Sequence, residues 1–186
     1  MTPAIGFRVW RIGETLTGPR LVSPNRNSLW LPGIRLEAEC WTEAVGGEHG
    51  RLAKAHRNQP ELRPPVQACT CGIYAYHSTE DMANALQTRF IGGAVLCWGR
   101  ITIHREGIRA QFARPLALSS ADSFSPSTDD YLAELAAGYG VPLLDLSHLE
   151  LYAREFGERY EPVADPPTAW GRQLTRSMRD AFARWF

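Results

Sequence analysis

Lysine is almost missing from this chain of 186 residues: Lys54 stands alone among 20 basic residues, and the rest are arginine. A GC-rich genome produces such a bias without selection for function. Its physical effect remains, because arginine presents a planar fork suited to bidentate pairing with carboxylate or phosphate. Net charge is missing too. Twenty acidic residues balance the twenty basic ones, so no global field draws the protein to nucleic acid or to an anionic membrane. No apolar run approaches the roughly 20 residues that a bilayer span requires. The opening "MTPAIGFRVWRIGETL" has no basic segment leading into an uninterrupted apolar core, so no secretory signal is expected. These absences predict a cytoplasmic protein. In a reducing compartment its four cysteines are better suited to metal binding or reactivity than to disulfides.

Strand and helix signals interleave along the chain. "GFRVWRI" (6–12) is aromatic and β-branched and predicts a strand. Turn signals at Ser23-Pro24-Asn25 and Pro32-Gly33 predict a hairpin-like excursion that ends in a short strand near 34–41. Residues 42–68 are polar, rich in glycine and proline, and show no period. A loop of that length is uncommon in a small domain unless something orders it or it has a function. "CGIYAYH" (71–77) predicts a second strand. Ser78 then offers an N-cap, with Glu80 and Asp81 in the first helical turn and Met82, Ala85, Leu86 and Phe90 as the apolar face. Gly92-Gly93 is expected to end that helix.

The clearest element is a hairpin, "AVLCWGRITIH" (94–104) returning as "IRAQFARPLAL" (108–118). Arginines at 100, 105, 109 and 114 offer it a local basic stripe. A polar linker over 119–130, a helix over 130–140, a further helix near 149–156 and a break at 161–170 follow. The predicted class is α+β, with a mainly antiparallel sheet, a β-hairpin, flanking helices and a C-terminal amphipathic helix. One domain over 1–160 is expected, with a Cys/His loop at 40–71. The helix over 166–186 would pack on that domain or on a partner. Trp170, Leu174, Met178, Ala181 and Trp185 give it one apolar face, and Arg172, Arg176, Arg179 and Arg184 supply the charge. Trp170, Arg172, Arg176, Arg179 and Trp185 are its candidate partner-binding residues, for another protein or for self-association.

Cys40, His56, Cys69 and Cys71 form a candidate ligand set flanking the unpatterned loop, with His49 competing for the fourth place. Thiolate and imidazole suit Zn²⁺ in a closed tetrahedron, and a bound zinc would brace the loop. Paired zinc cysteines usually stand two or more residues apart, whereas only Thr70 separates Cys69 from Cys71. In a strand, residues i and i+2 face one side, so both sulfurs can reach one ion. The plain alternative is that these are small buried apolar side chains, as is expected for Cys97.

"FRVWRI", "LWLPG", "EAEC", "CTCGIYAY", "VLCWGRITIHREGIRAQFARPLAL" and "LAAGYGVPLL" occur in this order. Together they resemble a family of small uncharacterised bacterial and phage proteins, common in actinobacteria. That family has a CxCGIYA motif and a WGRVxxHxxGxRA hairpin. The resemblance spans roughly residues 6–145 and brings no activity with it. Gln111 stands where the family pattern has glutamate. "GIYAYHSTEDMANAL" is also similar to the strand-then-helix element of ADP-ribosyltransferase-like folds. That likeness implies an NAD-using enzyme in which Arg8 or Arg11 grips the pyrophosphate and Tyr74 or Tyr76 stacks on the nicotinamide. Glu80 and Glu106 are candidates by type for its carboxylate, and His104 beside Glu106 is a candidate base. The leading expectation is instead a small cytoplasmic binding or accessory module. A structural zinc would brace it, and it would act through a protein or nucleic-acid partner.

Overall fold

The computed structural model describes residues 2–24, 28–40, 63–66, 69–86, 90–120 and 126–163. In chain order they form β1 (Ala4–Thr15), β2 (Gly18–Val22), β3 (Leu36–Glu37), β4 (Ile73–Tyr76), α1 (Thr79–Asn84), β5 (Phe90–Ile103), β6 (Gly107–Ser120), α2 (Pro126–Tyr139), β7 (Leu143–Asp145), α3 (Leu146–Ala153) and β8 (Glu158–Arg159). The fold is mixed α/β with a mainly antiparallel sheet, as the strand patterning predicts.

Strand alternation builds two cores on the two faces of this sheet. Along β1, Ala4 and Trp10 enter one apolar cluster while Ile5, Phe7 and Val9 enter the other. β5 divides in the same way, with Ile91, Val95 and Cys97 on the first face and Ala94 and Leu96 on the second. Side chains two apart on a strand share a face, so a central strand with both parities apolar must be covered on both sides. α2 covers the first face with Leu132, Leu135, Ala136 and Tyr139, the spacing of one helical stripe. Trp30 joins them, packed edge-on against Trp10 with ring centroids 5.5 Å apart. The second face is covered by Met82 and Ala85 around α1 and by Leu149 and Ala153 of α3.

β1 pairs with β5, β5 with β6, β6 with β4, and β4 returns to β1 through the single Phe7–Tyr76 pairing. The sheet therefore curls back on itself. β7 and β8 add parallel pairings at its margins, to β6 and β1 respectively. The hairpin β5–β6 is longer than its sequence signal, and the reason corrects one expectation. The helix after Ser78 stops at Asn84, although Ser78 caps it as expected by accepting from the Asp81 N–H at 3.1 Å. Phe90 and Gly92-Gly93, assigned from the sequence to the helix and its stop, belong to β5. A Cβ on Gly93 would lie 2.3 Å from the Ala117 carbonyl oxygen, so close strand approach, not helix termination, requires glycine there. The expected linker over 119–130 also yields ground. β6 runs to Ser120, and α2 already begins at Pro126, where a missing N–H costs a helix nothing.

The expected helix over 166–186 lies outside the described residues, and with it Trp170, Arg172, Arg176, Arg179 and Trp185. Among the described residues no helix is long and apolar enough to cross a membrane.

Candidate metal centre

One edge of β6 is taken by β5; the other is shared end to end by β3, at Phe112–Ala113, and β4, at Gly107–Ala110. The chain leaving β3 and the chain entering β4 therefore run past each other beside the middle of β6. Ala38 continues the first path by donating its N–H to the Gln111 carbonyl at 2.7 Å, and Cys40 follows two residues later. The second path carries Cys69 and Cys71, and Gly72 then turns it into β4 at φ +127°. A side chain at position 72 would be strained there and would meet the Cβ atoms of Arg109 and Pro65 at 3.0 and 3.1 Å. Sheet topology thus brings together cysteines 29 residues apart in sequence.

The Cys40 and Cys69 sulfurs are 3.6 Å apart, and the three Sγ atoms of Cys40, Cys69 and Cys71 all lie within 4.8 Å of one another. All three are free thiols. Zinc–sulfur bonds of about 2.3 Å in a tetrahedron set sulfurs about 3.8 Å apart, so the cluster needs only a small contraction to share one ion. Cys69 and Cys71 are buried and Cys40 is half-buried. The Val66 N–H points at the Cys71 sulfur at 3.4 Å, a bond that favours thiolate. Against it, the hydrogen bond with the Cys69 side chain, burial, and like charge at Cys69 and Cys40 push the Cys71 thiol well above its ordinary range. Three thiols held this close cannot all ionise unless a cation joins them.

Behind the thiols lies a buried charge. Arg109 is 2% exposed. Its Nη1 donates to the carbonyls of Cys69 and Cys71, the latter at 3.2 Å, so a single guanidinium nitrogen holds both ends of the Cys-Thr-Cys segment. Its Nε donates to His104 Nε2 at 2.8 Å, which requires that nitrogen to be unprotonated. The guanidinium also faces the Tyr74 ring, 5.9 Å from its centroid. No carboxylate is among these contacts, and Nη2 is buried without a hydrogen-bond partner among the described residues. His77, itself buried, closes the corner by donating Nε2–H to the His104 carbonyl at 2.7 Å.

Arg109 was legible in the sequence only as one arginine of the hairpin stripe. The structure turns it inward, so the stripe reduces to its neighbours. Tyr74 pairs with Arg109 across the β4–β6 ladder, and its hydroxyl donates to the Thr70 carbonyl at 2.6 Å, fixing the same segment from the other side. Arg109 was missed as a site residue because nothing local separates an inward polar side chain from an outward one in a hairpin, and His77, just past β4, could equally be a site residue or a plain strand end. Gln111 has a definite place: its Oε1 accepts the Arg100 N–H at 3.3 Å, where the β5–β6 register shifts.

His56 and His49 lie outside the described residues. Of the other sequence candidates, the structure brings Arg8 and Tyr74 together: Arg8 donates to the Tyr74 carbonyl and, at 3.0 Å, to Ser23 Oγ, which also accepts from the Trp30 indole N–H at 2.9 Å. Arg11 lies farther along β1, paired with Phe90. Glu80 is exposed in the first turn of α1, and Glu106 occupies the β5–β6 turn. Burial pushes the Tyr76 phenol up to about 12, with Glu106 and Asp81 adding to the rise and Arg8 opposing it. No family model, no curated protein and no solved structure matches the chain.

Proposed function

We propose that this protein is a small binding module in which Cys40, Cys69 and Cys71 hold one thiophilic divalent ion, zinc, as a structural brace. The module acts through a partner, protein or nucleic acid, in a reducing compartment. The observation that carries the brace is the convergence of three free thiols within 4.8 Å across two separate chain segments. Thiolates select zinc over harder cations, and a closed ligand set supports structure rather than turnover. A fourth ligand completes the tetrahedron; His56 and His49 are the candidates of matching chemistry. The brace would tie the end of β3 to the start of β4 and hold both ends of the intervening loop.

Elemental mass spectrometry on natively purified protein, with Cys69→Ser alongside, tests the reading. Expected is about one zinc per chain, absent from the variant together with a lowered Tm. Metal-free wild type whose thiols all react freely with a disulfide reagent would sink it.

A further inference from the structure

We infer that Cys40 and Cys69 are a redox-responsive pair, which a small-molecule disulfide of the oxidised-glutathione class converts to an intramolecular disulfide, expelling the ion from the thiol corner. The inference deepens the proposed function by adding regulation to its metal site, and it rests on that reading only for the release of the ion. The disulfide itself needs no metal.

The Cys40 and Cys69 sulfurs already touch at 3.6 Å, and a disulfide demands such close approach of its side chains. Both residues are reduced cysteines. They stand on separate paths, one leaving β3 and one entering β4, so a bond between them ties the two segments that an ion would tie. Cys71 is not equivalent. Its sulfur accepts the Val66 N–H at 3.4 Å, and it shares with Cys69 a short segment whose two carbonyls are held by one nitrogen of Arg109. Bridging Cys69 to Cys71 would distort a segment fixed at both ends. Bridging Cys69 to Cys40 leaves that segment where it is.

Access sets the order of events. Cys40 is half-buried, Cys69 and Cys71 are buried, and Cys97 is enclosed in the first core. A reagent in solution therefore meets Cys40 first. The Cys40 sulfur attacks one sulfur of the reagent, breaking its S–S bond and forming a mixed disulfide, and the expelled thiolate takes up the proton that Cys40 loses. The Cys69 sulfur then attacks the Cys40 sulfur. The second half of the reagent leaves as thiolate and takes the Cys69 proton. Two protein thiols are thus oxidised by two electrons, and one reagent disulfide is reduced to two thiols.

With an ion bound, the same S–S bonds form and break, and the leaving thiolates take their protons from water. Of the three thiolates that select zinc, only Cys71 remains, so the ion leaves. The end of β3 and the start of β4 stay tied in both states, by metal before oxidation and by sulfur after it. In a reducing compartment such a bond forms transiently and reports oxidation rather than building the fold.

Equilibration of the full chain with mixtures of oxidised and reduced glutathione tests this, on metal-free and zinc-loaded preparations whose zinc content is measured. Samples are acid-quenched, alkylated, and read by intact mass and peptide mapping. Expected is one disulfide per chain, joining Cys40 to Cys69, with Cys71 and Cys97 alkylated and the bond reversed by excess reduced glutathione. Zinc-loaded protein should release about one ion per disulfide formed, followed with a chromophoric chelator. Cys71→Ser and Cys97→Ser should still form the bond, and Cys40→Ser should form none. Cys97 reports the fold, because it is enclosed and should resist alkylation until denaturant is added. Where metal-free protein exposes Cys97, the zinc-loaded arm decides. A bridge to Cys71 as the main product overturns the proposal, as do mixed disulfides that never resolve, or a Cys40–Cys69 bond that leaves the zinc in place. Zinc-loaded protein whose thiols stay reduced in every mixture would refute the pair alone. Wild type that binds no zinc yet forms the Cys40–Cys69 bond would refute the brace alone.

Discussion

Two buried regions of this molecule are held together by different means. Around Trp10 the sheet is sealed by side chains almost wholly excluded from solvent, Trp10, Leu21, Ile91, Val95 and Leu118, and apart from the Trp10 indole N–H they are apolar. Beside the middle of β6 the corner around Arg109 is largely buried but polar. Three thiols crowd together, and a guanidinium whose Nη2 has no partner among the described residues leans on two carbonyls, a neutral imidazole and a ring. The first region is stabilised by removal from water, which is additive and tolerant. The second is stabilised by pairing, and pairing fails abruptly when one partner is withdrawn. Apolar burial holds the first region; the polar corner depends on each of its partners being in place.

The largest expected effect lies in the first region. Trp10→Ala should cost about 3–5 kcal/mol, as removal of a large enclosed aromatic does elsewhere. The same loss should be measured by denaturant unfolding with and without added zinc. A loss that depends on zinc would mean that the two regions are coupled through the sheet, and the contrast would collapse.

Arg109→Met comes next and probes the second region. It removes the donor that holds the Cys69 and Cys71 carbonyls and leaves both, with His104 Nε2, short of a partner. Unsatisfied buried acceptors suggest a loss of about 1–3 kcal/mol. Zinc affinity, read by competition with a chromophoric chelator, should fall with it, because the segment that presents two sulfurs would no longer be held. Lowered stability with unchanged zinc affinity would make Arg109 a residue of the fold only.

How much of this was legible beforehand follows the same division. Aromatic and β-branched residues in "GFRVWRI" and apolar runs either side of a tight turn in the 94–118 hairpin announce strands by residue type, since a sheet covered on both faces leaves no period of two in its central strands. The Ser78 cap is legible for a similar local reason. Gly92-Gly93 misled because glycine serves helix ends and close strand contacts alike, and only the Ala117 carbonyl across the ladder decides between them. At the site, Cys69 and Cys71 advertise themselves by proximity, and Cys40 could be nominated by type. That Cys40 meets them is a fact of β3 and β4 sharing one edge of β6, which no local pattern records. Arg109 was invisible for a sharper reason. By residue type it resembles Arg105 and Arg114 of the same hairpin, and its inward course is set by partners 38 and 40 residues away.

The smallest predicted effect separates the two regions by pH. Cys97 lies in the first core, and burial pushes its thiol up to about 12. Cys71, in the second, is raised by its bond to Cys69 and by burial. A thiol whose folded value is raised stays protonated in the native state, while the unfolded chain ionises near 9.0. Below that pH neither thiol affects stability; above it the unfolded state gains, and the native state loses about 1 kcal/mol per such thiol between pH 9 and 10. Metal-free protein should therefore show a Tm that falls on going from pH 8 to pH 10, with contributions from both regions. Zinc changes only one of them. A bound cation takes the thiolate form, so rising pH assists binding at Cys71 while Cys97 continues to oppose folding. The zinc-loaded protein should lose less over the same range, and the difference between the two curves isolates the thiol corner. Parallel curves would mean that the three sulfurs never share an ion, and that the corner beside β6 is closed by packing alone.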